Sequence, residues 1–219
     1  MFGIPNKEQL LARLLILPVS ILSLSVHEWA HAWSAYRLGD DTASRQGRLT
    51  LNPLAHIDPL GTLLLPLLGF PIGWAKPVPV NPLRFRREVT MKAGKMITAV
   101  AGPLSNAVIA IVSAVILGLL ERFGLEYVAH GAVMMLLRAS IFLNIGLCLF
   151  NLLPIPPLDG SRVADGIMPY RLRPQWEAFS RYGMFVLFLF VWLGSDLLMA
   201  PLRAVGGVLA RLTALVAGG

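Results

Sequence analysis

From Leu10 to Ala35 the chain is almost wholly apolar, and a run of that length is what a helix needs to cross a hydrocarbon core of about 30 Å. Inside it sit His27, Glu28 and His31. An ionisable side chain in a membrane span costs roughly 2.5 to 3.5 kcal/mol on insertion scales, so each is a functional candidate by default. On a helix, residues four apart share one face, and His27 and His31 therefore stack one turn apart. This is the H-E-x-x-H arrangement, in which two imidazoles chelate one zinc ion. Glu28 projects beside the metal as a base toward water rather than as a ligand.

The rest of the chain agrees with a membrane setting. Of 219 residues, 56% are hydrophobic and 14% charged, too much apolar sequence for one soluble core and enough for several spans. The net charge of +7 could suggest nucleic acid, but the basic residues fall between apolar segments, as cytoplasmic loops do under the positive-inside rule. No nucleic-acid partner is expected. The single cysteine, Cys148, lies in an apolar run, which excludes an intrachain disulfide or a cysteine metal cluster and leaves a packing role. Residues 1–10 lack the basic start and cleavage site of a signal peptide, so the first span, about Leu14 to Tyr36 with a tolerated Pro18, is expected to remain.

Beyond Arg37, the polar stretch Asp40 to Pro53 reads as an extended turn or short hairpin, with Gln46 to Leu51 a strand candidate. His56, in a turn-rich loop, either approaches the metal or, the favoured reading, is a histidine satisfied by backbone partners. Thr62 to Ile72 is apolar but short and holds Pro66 and Pro71, so it reads as re-entrant or interfacial. In Gly73 to Pro82 the alternating prolines forbid a central strand and suit an extended edge. Such an edge can take up another chain by strand addition, or it can be a connector anchored by Trp74.

Arg84, Arg86, Arg87, Lys92 and Lys95 precede the second span, about Met96 to Leu120, and should face the cytoplasm. Within it, Asn106 either bonds across a helix interface or touches substrate. The third span runs from about Ala132 to Leu153. Its Arg138 either snorkels or pairs inside, with Asp196 a possible partner. It ends in Asn151-Leu152-Leu153-Pro154-Ile155-Pro156-Pro157-Leu158-Asp159-Gly160, where the prolines unwind the helix and let Asp159 turn back. A catalytic zinc takes three protein ligands and keeps one position open, and Asp159 is the best-placed carboxylate to complete the pair of histidines. Alternating spans bring both motifs to the same side. A fourth span is expected over about Tyr182 to Leu202, followed by a tail that is either a surface helix or the return of a hairpin.

Taken together, His27-Glu28-Trp29-Ala30-His31 in the first span, Gly102 and Asn106 in the second, and Asn151 to Pro154 with Leu158-Asp159-Gly160 in the third resemble the site-2 protease family of intramembrane zinc metalloproteases, over about residues 10–165. The resemblance implies one Zn2+ per chain on His27, His31 and Asp159, Glu28 as catalytic base, and Asn151 as donor to the oxyanion. It also implies a substrate-engaging segment around Gly73 to Val80, with Trp74, Pro77 and Val78 as candidate contacts beside Asn106. The chain is similar to the compact prokaryotic branch without PDZ or CBS domains.

The expected fold is an all-α integral membrane protein with about four to five transmembrane helices and a re-entrant or extended segment between the first two. It is one membrane-embedded domain over 1–219, with a core of about 10–165 and a C-terminal helical segment over 181–219. The expected activity is hydrolysis of peptide bonds within or near transmembrane segments of membrane protein or peptide substrates. The expected location is the plasma (inner) membrane bilayer, with the active site toward the cytoplasm; the oligomeric state stays open. Two other readings are a transporter passing metal ions through the His/Asp cluster, which would need a continuous polar path where the sequence concentrates polar residues at one depth, and a non-catalytic scaffold.

Overall fold

The computed structural model describes residues 6–68, 73–125, 130–193 and 195–219. Helix α1 spans Lys7–Arg37. It starts on a capping box: Asn6 Oδ1 accepts from Gln9 N at 2.8 Å, and Gln9 Oε1 accepts from Asn6 N at 3.2 Å, satisfying two donors that a helix start leaves free. At 1.5 Å per residue, its 31 residues extend ~46 Å, enough to cross the bilayer and continue beyond it. Two single turns of α-helix follow, α2 (Thr42–Arg45) and α3 (Leu65–Leu68). Helix α4 is Met91–Arg122, α5 is His130–Asn151, α6 is Asp159–Ile167, α7 is Arg173–Arg181, α8 is Gly183–Leu193 and α9 is Ser195–Ala217.

Four helices are long and apolar enough to cross a membrane, α1, α4, α5 and α9, or five if the bent segment Tyr170–Leu193 counts as one span. The packing is that of a membrane protein. Small and polar residues lie inside, among them Ser23, Ser25, Ala99, Gly102, Asn106, Ser113, Ala114 and Asn144, while Leu14, Leu15, Leu22, Val108, Ile111, Val112 and Phe142 face outward. Lipid supplies no hydrophobic drive between helices, so close backbone approach and interhelical hydrogen bonds hold them together. The chain is a multi-pass membrane protein.

Helix α4 is the centre and touches α1, α5, α6 and α9. Contacts run from Ser23 to Asn106 and from His31 to Thr98, so α1 is antiparallel to α4. Asn144 meets Asn106 and Ser140 meets Ser113, so α5 is antiparallel to α4 and parallel to α1. Helices α1 and α5 thus deliver the H-E-x-x-H turn and the Asp159 turn to one end of the bundle.

Three expectations change. Gln46 to Leu51 is not a strand, and no strand occurs among the described residues: Gln46 closes α2, and Arg48 N returns to Ala43 O at 2.8 Å. The fourth span is not Tyr182 to Leu202. Helix α8 ends at Leu193, and the crossing helix is α9, whose Leu202 and Leu209 pack on Ala110 and Ala114 of α4 while Arg203 and Arg211 stay exposed. The tail therefore belongs to this buried-face helix. Arg138 is exposed, with Glu121 Oε1 at 3.6 Å; the Asp196 side chain lies outside the described residues, as do residues 69–72 of the short apolar segment. The described part of that segment is a wide helical turn over Pro59–Leu64 running into α3, ten residues in all, ~15 Å and too short to cross. His56 is buried, and its Nε2 bonds Thr50 O at 2.8 Å.

Candidate metal centre and active site

The buried end of α1 presents His27 and His31 to α4. His27 Nδ1 lies 2.6 Å from Asn106 Oδ1, and His31 Nδ1 lies 2.6 Å from the carbonyl of Thr98. A carbonyl only accepts, and the Asn106 amide is oriented by its nitrogen, which donates to Asn144 Oδ1 at 2.8 Å and to Ser23 O at 3.4 Å. Both Nδ1 atoms therefore donate. In a neutral imidazole that leaves Nε2 as an acceptor.

The two Nε2 atoms are 3.0 Å apart, and Asp159 Oδ2 lies 3.2 Å from that of His27 and 3.1 Å from that of His31. With both imidazoles neutral, three acceptors face one another with no donor between them, an arrangement that a bound cation satisfies. Bonds of about 2.0 to 2.1 Å around a tetrahedral zinc place ligand atoms ~3.3 Å apart, close to this triangle, and two imidazoles with one carboxylate are a donor set zinc takes.

Two glycines leave the room. A Cβ on Gly102 would collide with Nε2 of both histidines, so α4 passes the metal-facing atoms at a distance only glycine permits. A Cβ on Gly160 would strike the carbonyls of Leu152 and Leu153. The chain leaving α5 therefore folds tightly over the start of α6, which sets Asp159 beneath the histidines.

Glu28 is half-buried beside this triangle. Its Oε2 accepts the backbone N–H of Val78 at 2.8 Å. The proline-rich segment, neither helix nor strand over residues 73–81, thus lies over the motif helix. Val78 is buried against Ala32 and Ala43. Pro77 is exposed. Trp74 is 42% exposed, packs on Gly61, and accepts from Thr62 Oγ1 through its carbonyl at 2.8 Å.

Asn106, a candidate substrate contact, is fully buried and spends its amide on His27, Ser23 and Asn144. No face of it is left for a substrate. Asn151 Nδ2 donates to Leu147 O of its own helix at 3.0 Å. Buried polar residues also extend further than one depth, since Asn144 Nδ2 donates to Ser23 Oγ and Ser140 O, both at 2.9 Å, and Ser140 meets Ser113. These groups are uncharged and satisfy one another, so they form a hydrogen-bonded brace behind His27 rather than an ion path.

Sequence reasoning missed Asn144 and Ser23. Both carried a signal: Asn144 is an amide in an apolar span, and Ser23 is one turn before His27 on the same face.

A Bacillus subtilis protein named "Putative zinc metalloprotease YwhC" is 43% identical over 188 residues, which is 84% of this chain and 84% of that protein. The chain belongs to peptidase family M50. The model of that family matches residues 118–194 of it. Among further M50 relatives, proteins named "Putative zinc metalloprotease Rip2" are 34% identical over 164 residues in Mycolicibacterium smegmatis and 31% identical over 158 residues in Mycobacterium tuberculosis. These alignments cover 75% and 72% of this chain and 60% and 57% of the relatives. No solved structure matches. This M50 chain is a zinc metalloprotease of the site-2 protease type, which displaces the transporter and scaffold readings.

Proposed function

We propose that the protein hydrolyses peptide bonds within or near transmembrane segments of membrane protein substrates in the plasma membrane, with the site toward the cytoplasm. The observation that carries this reading is the all-acceptor triangle of His27, His31 and Asp159 at one end of a lipid-facing bundle. The cytoplasmic assignment rests on the basic residues on the same end, Arg84, Arg86 and Arg87 before α4, Lys92 and Lys95 at its start, and Arg162, Arg171, Arg173 and Arg181 after Asp159. A cleft of about 540 Å³ between the extended segment, α4, α6 and α7, lined by Val78, Thr98, Ser161 and Trp176, offers water and chain access from that side.

In this reading His27, His31 and Asp159 hold the zinc. Bound there, zinc polarises the scissile carbonyl and lowers the pKa of a bound water toward about 7. Asn106 Oδ1 and the Thr98 carbonyl fix both imidazoles in the ligating tautomer. Glu28 holds Val78 N–H on Oε2, while Oε1, which accepts nothing among the described residues, takes the proton of the attacking water and returns it to the leaving amine. Asn151 keeps a second amide N–H beyond the one on Leu147; that hydrogen is the proposed donor to the developing oxyanion. The substrate, unwound from its helix, lies along the backbone of Trp74 to Val80.

The test is Glu28→Gln, reconstituted in liposomes with a transmembrane peptide. Hydrolysis should fall by ~10² to 10⁴-fold, the usual contribution of a positioned acid–base group, with zinc still bound at one per chain. Proteolysis at the wild-type rate would remove Glu28 from the mechanism. Cleavage confined to soluble peptides would remove the membrane substrate.

A further inference from the structure

We infer that Arg48 is a positioning residue for Glu28, acting through the backbone of the extended segment; this rests on the assignment of Glu28 as the base. Arg48 is 7% exposed and Asp40 is fully buried. Neither makes an ion pair among the described residues, an unusual state for buried charges, which are ordinarily paired. Both reach one stretch of main chain instead. The Arg48 guanidinium donates through Nη2 to the carbonyls of Lys76 and Pro77, at 2.5 and 3.3 Å. Asp40 accepts the N–H of Asn81 at 2.6 Å on one oxygen and the N–H and hydroxyl of Thr42 on the other. His56 adds its carbonyl, which accepts Lys76 N at 2.8 Å. The segment is thereby pinned at residues 76–77 and at residue 81.

Between the pins sits Val78, flanked by Pro77 and Pro79, which have no N–H. Its amide is the only backbone donor in that tripeptide, and it points at Glu28 Oε2. The peptide that carries this N–H is the Pro77–Val78 unit, whose carbonyl is the farther of the two that Arg48 reaches, at 3.3 Å, while the nearer, of Lys76, belongs to the peptide before it. One rigid peptide plane thus joins the guanidinium to the base. Rotating that plane would withdraw the N–H and let the carboxylate swing. Holding one oxygen aims the other, and a base must keep hydrogen-bond reach of its proton.

The experiment compares Arg48→Met and Arg48→Lys with wild type and Glu28→Gln, all as full-length zinc-loaded protein in liposomes. The measurements are kcat, KM, zinc per chain, and amide exchange of the fragment holding Pro77 to Pro79, which reports Val78 alone. For Arg48→Met, kcat should fall about 10- to 100-fold, the scale on which small misplacements act, with zinc retained and Val78 exchanging faster. Arg48→Lys, which keeps one donor on one carbonyl, should recover part of both kcat and protection. A rise in KM at unchanged kcat would overturn the proposal, making Arg48 a shaper of the substrate edge only. So would a loss of kcat with Val78 protection unchanged, or no recovery in a folded, zinc-loaded Arg48→Lys. An inert Glu28→Gln beside a fully active Arg48→Met would refute this inference and leave the proposed mechanism standing, whereas an active Glu28→Gln would refute that mechanism.

Discussion

Replacing Gly102 with alanine adds one methyl group at the point where α4 passes the metal-facing nitrogens. The new Cβ would stand 2.6 Å from Nε2 of His27 and closer still to that of His31. Neither ring is a flexible chain end that can step aside: one is tied to Asn106, the other to the Thr98 carbonyl. Overpacking of this kind costs about 1 to 3 kcal/mol. If the strain is relieved by displacing the imidazoles, the same energy appears as a loss of zinc affinity of about 5- to 150-fold, at 1.4 kcal/mol per decade. Helix propensity pushes the other way, since alanine favours a helix interior over glycine by about 1 kcal/mol. The variant should therefore keep its helical circular dichroism while yielding zinc to a competing chelator at lower concentration. Zinc binding as tight as wild type in a helical Gly102→Ala would refute the claim that this glycine makes room for the metal.

Asn106→Leu should weaken zinc retention and activity by about 10- to 100-fold, as loss of an outer-shell partner does, read by chelator competition. Asn144→Ala leaves the Asn106 amide and Ser23 hydroxyl short of partners, and should lower thermal stability by about 1 to 3 kcal/mol with a smaller loss of zinc affinity. Zinc should stabilise the wild type by about 4 kcal/mol at a thousandfold excess over Kd, with a melting temperature that rises with zinc concentration, and Asp159→Asn should flatten that dependence. Desolvation pushes the Asp41 carboxyl up, but the guanidiniums of Arg45 and Arg84 outweigh it and hold it below its ordinary value of 3.8. Its contribution is therefore complete above that value and lost as pH falls through the lowered one. Asp41→Asn should lower the melting temperature slightly near neutrality and not in acid.

The spans around the site were legible because membranes punish exceptions. A histidine, a glutamate or an aspartate within or beside an apolar run stands out, and periodicity places residues 27 and 31 on one face without any structure. Asp159 was legible for a related reason: a two-ligand site lacks a third, and the prolines after Asn151 mark where the helix has to stop. The bounds of the last span were not legible. Residues 182–202 and 195–217 are both apolar enough to be a span, and what decides between them is the fit of Leu202 and Leu209 against two alanines on α4, a tertiary fact. The strand expected at Gln46 to Leu51 failed because its residues suit a strand but nothing pairs with it; Arg48 instead turns its side chain toward another segment. Asn106 was ambiguous in sequence because a buried amide and a substrate-facing one look alike until their partners are known.

The polar interior follows from the same economy of donors. A neutral imidazole that ligates through Nε2 must dispose of its Nδ1 proton, and within a bilayer no water is on hand to take it. His31 passes its proton to a backbone carbonyl. His27 donates its own to Asn106 Oδ1, and that assignment propagates: the amide oxygen accepts, so its nitrogen must donate, to Ser23 and to Asn144. Asn144, accepting there, must donate in turn, to Ser23 and Ser140, and Ser140 meets Ser113. Each residue fixes the orientation of the next, so the direction of hydrogen bonding runs outward from the metal-facing nitrogen through three helices. Reversing any one amide would set donor against donor elsewhere in the brace. The tautomer of His27 is therefore set by the packing of α1, α4 and α5, and a bundle assembled in the wrong register would lose that ligating tautomer along with the contacts.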